Sequence, residues 1–314
     1  MTVTSPSLVN AARPPQRRAE RPLRGIMLML GATVFLACSD ALAKYLGRTL
    51  PPIEIAWLRF LVFAVIMLPV ALTQRGGSVL RSARPKLQVL RSLGLASSSV
   101  LFITGLHFLP IAEASATSFV APLFVTALSL LLLGEHIGMR RWAATLVGLI
   151  GVLIVVRPGT AAFNPAVILP ILSALGWALT LTLTRMISGA DRVVVTMSYS
   201  ALVGFVSLSL LVPLVWVTPN WQQLALGLGV GLASTTGQWI VVMAFRHADA
   251  SALAPFSYVQ LVWATLFGVF LFGEVPVVWT FVGAAVIIAS GLYTAHRERI
   301  RHRQQVIAEP YPSP

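Results

Sequence analysis

Residues 105–156 read GLHFLPIAEASATSFVAPLFVTALSLLLLGEHIGMRRWAATLVGLIGVLIVV, and a second version begins at residue 244, AFRHADASALAPFSYVQLVWATLFGVFLFGEVPVVWTFVGAAVIIASGLY. Each copy holds a short polar elbow, then a run of small and apolar residues broken by proline (Pro122, Pro255). Each closes on Gly-Glu, followed by a tryptophan and a second, glycine-punctuated apolar run. Glu135 and Glu274 stand 139 residues apart in a chain of 314, close to half its length. A repeat of this size sets the architecture before any single element is read.

Working outward, the composition places the repeat in a membrane. The chain is 57% hydrophobic and only 11% charged, against about 25% charged residues in soluble domains. Ten apolar runs can be drawn, at about 26–46, 53–73, 89–108, 112–133, 140–156, 166–187, 193–217, 222–244, 251–272 and 277–295. Most approach the ~20 residues that carry a helix across the hydrocarbon core. They lack the period-two alternation of a barrel, and open sheets do not survive in lipid, so they are read as helices. Cys38 stands alone, which excludes a disulfide framework or a cysteine metal site.

The net charge of +13 raises the question of nucleic acid, and its placement answers it. With the N-terminus inside, 19 Lys and Arg side chains fall in cytoplasmic segments and 3 outside (Lys44, Arg48 and Arg157), with Arg59 inside a span. That is the asymmetry of membrane topology, not of a nucleic-acid surface, and it puts both termini in the cytoplasm. The expected fold is an all-α polytopic membrane protein of ten helices in two inverted five-helix repeats. The inversion follows from the odd number of spans per repeat. It agrees with Arg140-Arg141 after the first Gly-Glu, where the second copy has Val-Pro-Val-Val. Residues 1–24 form a disordered basic tail, 25–157 the first repeat, 166–295 the second, and 296–314 a cytoplasmic tail with 304–314 unstructured.

Ionisable residues inside the membrane are the first functional suspects, because they are costly there. Asp40 and Arg59 each lie about 9 Å below the external face at ~1.5 Å per residue. The matched depth predicts an ion pair between the first two helices, with Lys44 snorkelling outward and Glu54 nearer the surface. Ser98, Thr117, Trp177, Thr180, Tyr258, Gln260 and Trp263 converge near the midplane. For the hydroxyl residues the competing reading is close helix packing. A midplane glutamine needs a polar partner, and aromatics usually favour the interfaces, so Trp177, Tyr258, Gln260 and Trp263, together with Ser98 and Thr117, join Asp40 and Arg59 as the expected cavity lining. Gly227, Gly231, Gly148 and Gly151 read as packing faces. Glu135 and Glu274 fall at opposite membrane faces, as helix caps or loop ties.

No H-E-x-x-H, P-loop, G-x-S-x-G or Cys/His cluster occurs, so no enzyme signature, cofactor site or metal site is expected. Without a nucleotide site, active transport would draw on a gradient. The partners expected are a small-molecule substrate, the lipid bilayer and a coupling ion (H+ or Na+), with no nucleic acid and the chain as a monomer or homodimer. The alternatives are a non-transporting membrane scaffold, or an intramembrane enzyme.

LPIAEASATSFVAPLFVTALSLLLLGE (109–135) and ASALAPFSYVQLVWATLFGVFLFGE (250–274) resemble the drug/metabolite transporter superfamily, in its EamA-type ten-helix members. The likeness covers about residues 25–295. RGIMLMLGATVFLACSDALAKYLGR, with the Trp57-Leu58-Arg59-Phe60 segment, is similar to the subgroup of riboflavin and S-adenosylmethionine carriers. The resemblance implies a secondary transporter of the inner membrane for an amino-acid, vitamin or nucleoside-like metabolite. It also implies alternating access and a central cavity lined by helices 3, 4, 8 and 9.

Overall fold

The computed structural model describes residues 22–73, 82–134, 139–187, 190–245, 247–248 and 250–308. Within them the chain forms α1 (Pro22–Leu46), α2 (Pro52–Thr73), α3 (Pro85–Phe108), α4 (Ile111–Ser118), α5 (Ala121–Leu133) and α6 (Met139–Val156). The second half contributes α7 (Ile168–Ile187), α8 (Val193–Leu211), α9 (Trp221–Phe245), α10 (Ala250–Ser257), α11 (Val259–Phe272) and α12 (Val278–Ala308). Eight stretches are long and apolar enough to cross a membrane, with Ile111–Leu133 crossing as α4 plus α5 and Pro255–Phe272 as the end of α10 plus α11. Two shorter apolar helices, Trp142–Val156 and Val278–Thr294, coincide with the other two expected spans. One boundary moves: α12 continues to Ala308, into the tail expected to be unstructured from residue 304.

The proline-marked helices are broken in both halves. Phe119 and Val120 separate α4 from α5, and Pro122 sits in the first turn of α5, where a missing N–H leaves no bond unmade. Tyr258 alone separates α10 from α11, with Pro255 inside α10. Phe119 and Tyr258 are again 139 residues apart. Their rings meet, with centroids 4.9 Å apart at 41°.

The duplicated Gly-Glu is first of all a helix stop. Gly134 and Gly273 cap α5 and α11 at φ 66° and 68°, in the left-handed region that side chains resist. Glu135 lies outside the described residues.

Packing follows the repeat rather than the order of the chain. α1 lies on α9 and α11, and α7 lies correspondingly on α3 and α5; α2 meets α8, and α6 meets α12. Exchanging the halves leaves this pattern unchanged. Each apolar core therefore mixes the repeats, one joining Leu106, Ile111 and Val155 to Leu261 and Ile287, the other Ile55, Phe60 and Ile103 to Ala201 and Val230. Leu131, Leu210, Phe270 and Val278 point outward, as a lipid-facing surface requires.

The small-residue faces behave as read. Gly227 and Gly231 of α9 take Leu58 and Val62 of α2 against bare backbone, and Gly151 of α6 faces Ile287 of α12. A methyl group at residue 231 would overlap the Cβ of Val62, an atom no rotamer change can move. Gly231→Ala is expected to destabilise the fold by about 1–3 kcal/mol, the usual cost of overpacking a tight contact. Thermal unfolding of the purified variant in detergent measures it, and an unchanged midpoint would show that α2 and α9 slide apart freely.

Candidate functional site

Asp40 lies on α1 six residues before its end, on a face held to the other repeat. The neighbouring Ser39 Oγ donates to the Val230 carbonyl of α9 (3.0 Å). Asp40 is buried, and its carboxylate accepts from Gln260 Nε2, at the start of α11, at 3.2 Å. Arg59, on α2, directs Nη1 to Ser99 Oγ on α3 at 3.5 Å.

The predicted Asp40–Arg59 ion pair does not form. α1 packs chiefly on α9, α11 and α10 and far less on α2, so the two side chains stop short of contact. They still act on each other through space as opposite charges. The result is a carboxylate and a guanidinium in the interior, each with a neutral partner, joining both repeats through Gln260. An unneutralised pair of this kind is costly in a membrane unless something polar completes it.

The other expected residues are spread more widely. Ser98 exchanges hydrogen bonds with Ser173, which also donates to the Ser98 carbonyl at 2.8 Å, so this serine binds α3 to α7. Thr180 donates to Gly176 and Arg91 carbonyls on the same seam. Tyr258 packs its ring on Phe119 and its hydroxyl onto the backbone at Gly291 of α12. Trp177 is half-buried on α7. Trp263 stacks on Phe267 at 6.5 Å, and its buried Nε1 has no hydrogen-bond partner. Thr117 is wholly buried with a partnerless hydroxyl. No hydrogen bond or ion pair joins Thr117, Trp177 or Trp263 to the Asp40–Gln260 contact. Buried polar atoms without partners are uncommon, and those of Thr117 and Trp263 are donors that a bound molecule can satisfy.

One reading near the membrane faces changes. Lys44 does not snorkel: its Nζ turns inward to Glu274 Oε1 (2.8 Å) and to the Leu106 (3.2 Å) and Leu109 (2.5 Å) carbonyls. Those carbonyls belong to the end of α3, where the helix leaves acceptors unsatisfied and a nearby cation meets them. Glu54 is fully buried within the protein and accepts from the Val217 N–H at 3.2 Å. Glu274 is a loop tie, as expected, with Oε2 accepting from the Ile111 N–H at 3.0 Å.

Sequence reasoning also passed over a polar cluster where α3 begins. Asp191, in the turn between α7 and α8, accepts from Ser82 Oγ, the Ala83 N–H and Gln88 Nε2. One turn on, Arg91 Nε and Nη1 donate to Thr184 (2.6 Å) and Ser200 (2.5 Å). The basic loop was counted for topology, which hid this second role. Slight burial works to raise the Asp191 carboxyl, but the three hydrogen bonds outweigh it and hold it below its ordinary 3.8. A depressed folded value gives stability present above the unfolded value and lost as pH falls through the folded one. Asp191→Asn is therefore expected to lower the melting midpoint at pH 7, and to cost progressively less as pH is taken below 3.8, measured by parallel melts.

Among the described residues, no three His, Cys, Asp or Glu side chains gather as a metal site would require.

Comparison with known proteins shows the family and the fold. Residues 23–157 and 164–294 each match the model of the EamA-like transporter family. An S-adenosylmethionine uptake transporter of Rickettsia prowazekii is 32% identical over 278 residues, 88% of this chain and 94% of that protein. A riboflavin transporter of Vibrio cholerae is 32% identical over 90% of this chain and 97% of its own length. A pseudopaline exporter of Pseudomonas aeruginosa is 27% identical over 85% of this chain and 94% of its own. One protein crystal structure, 22% identical, superposes with a TM-score of 0.60 over 88% of this chain and 98% of its own, which shows a shared fold.

Proposed function

Because the chain belongs to the EamA-like transporter family, we propose that it is a secondary carrier for a small zwitterionic metabolite, with S-adenosylmethionine the first substrate to test. It works as a ten-span protein of the inner membrane, with both termini cytoplasmic and two inverted halves that expose one site to each side in turn. Lacking a nucleotide motif, it draws on a gradient, with H+ or Na+ the coupling ion to test.

The observation that carries this reading is the separation of Asp40 from Arg59. Among the described residues, the hydrogen-bond partner of Asp40 is Gln260 and that of Arg59 is Ser99, while the two charges feel each other without touching. A ligand with a positive centre and a carboxylate completes both charges at once. S-adenosylmethionine has a sulfonium, an ammonium and a carboxylate, and the relative from Rickettsia prowazekii is named for its uptake. Riboflavin is the second reading, favoured by the Trp263–Phe267 stack and the free indole N–H, which suit a planar, hydrogen-bonding ring.

Thermal shift on the purified protein separates the two. A ligand at a hundred times its Kd adds about 2.7 kcal/mol to apparent stability. S-adenosylmethionine is expected to raise the midpoint and to enter proteoliposomes under a pH or Na+ gradient. A shift with riboflavin alone would favour the second reading; no shift and no uptake with either would end both.

A further inference from the structure

We infer that the Lys44–Glu274 pair is the releasable closure of one end of the transport path. It is the one ion pair among the described residues. It forms where the repeats meet: Lys44 ends α1, Glu274 follows α11, and the two together hold the last carbonyls of α3 and the first N–H of α4. The Phe272 ring lies beneath the Lys44 and Arg48 cations at 5.5 and 5.3 Å, covering the node from the α11 side. Asp40 is four residues before Lys44 on α1, so the pair stands about 6 Å above the Asp40–Gln260 contact.

Ser39 donates to Val230 as Thr180 donates to Arg91, which matches α1 with α7 at an offset of 141 and α3 with α9 at 139. Lys44 then corresponds to Arg185 near the end of α7, which faces α5 as Lys44 faces α11. Arg185 donates to Ser129 Oγ at 3.4 Å, and Glu135, the repeat counterpart of Glu274, lies outside the described residues. The pair is also breakable: its side chains keep 10% and 25% of their exposure, so water is at hand to take over both charges.

The inference rests on the carrier reading, but its test needs no substrate. Ser99, below the pair and against Arg59, is replaced by cysteine in a Cys38→Ala background. A charged, membrane-impermeant methanethiosulfonate is then applied to sealed vesicles of each orientation. From the side that carries the α1–α2 turn, labelling is expected to run roughly fivefold or more faster when Glu274→Gln removes the charge. Glu274→Asp, which keeps the charge, is expected to stay near the starting rate. An unchanged rate in Glu274→Gln, or equal acceleration in Glu274→Asp, overturns the closure and leaves the pair as a staple. Should Glu274→Gln fail to fold, Lys44→Gln gives the same readout. A protein that transports neither test metabolite would disprove the substrate reading without touching this result.

Discussion

Asp40→Asn is expected to lower uptake by about tenfold or more while the protein still folds. Asparagine has the shape of aspartate and can still receive the Gln260 amide, so the α1–α11 contact survives. What disappears is the negative charge facing the interior. A hydrogen bond to a charged group contributes about 1.5–3 kcal/mol, and each 1.4 kcal/mol is a factor of ten in binding. A substrate whose cationic centre rests on Asp40 loses that contribution directly. Arg59→Gln is the matching change, and it should raise the half-saturating concentration most for substrates bearing a carboxylate. The double variant carries the mechanistic weight. If the two charges only stabilise each other, Asp40→Asn/Arg59→Gln restores both the melting midpoint and uptake. If they receive a zwitterion, it restores the midpoint alone. Unchanged uptake in Asp40→Asn at normal expression would end the zwitterion reading.

What the sequence made legible, and what it hid, divides along one physical line. The repeat, the apolar helices and the proline breaks depend on local pattern, so they could be read directly. Gly134 and Gly273 needed only the knowledge that a glycine past an apolar run stops a helix. The pairing of side chains depends on which helices touch, and here local order misleads. Matching the depths of Asp40 and Arg59 assumed that α1 and α2 pack together, whereas α1 crosses to α9 and α11 of the other repeat. The same assumption sent Lys44 outward, because its partner Glu274 lies far along the chain. The repeat held the missing clue. Gln260 lies two residues past Tyr258, the counterpart of Phe119 at the helix break, and so faces the meeting of the two halves. The choice of neighbour is what local order could not supply.

The Phe119–Tyr258 contact gives the largest expected loss of stability. The two rings occupy equivalent helix breaks, so they meet where one half crosses the other. Tyr258 is wedged on its far side by Gly291, where a Cβ would overlap the phenol hydroxyl. Tyr258→Ala removes a large ring from this wedge and leaves a void that neither broken helix can fill. We expect about 2–4 kcal/mol of destabilisation, below the full range for a buried aromatic because Tyr258 is only partly enclosed. Gly291→Ala should be comparably harmful for the opposite reason, since the ring has Phe119 behind it and nowhere to retreat. The combination is the informative case. With the ring gone, the added methyl meets open space, so Tyr258→Ala/Gly291→Ala should cost clearly less than the sum of the single changes. Strictly additive losses in thermal melts would show that Tyr258 does not bear on Gly291. They would return its phenol to the set of side chains available to a substrate.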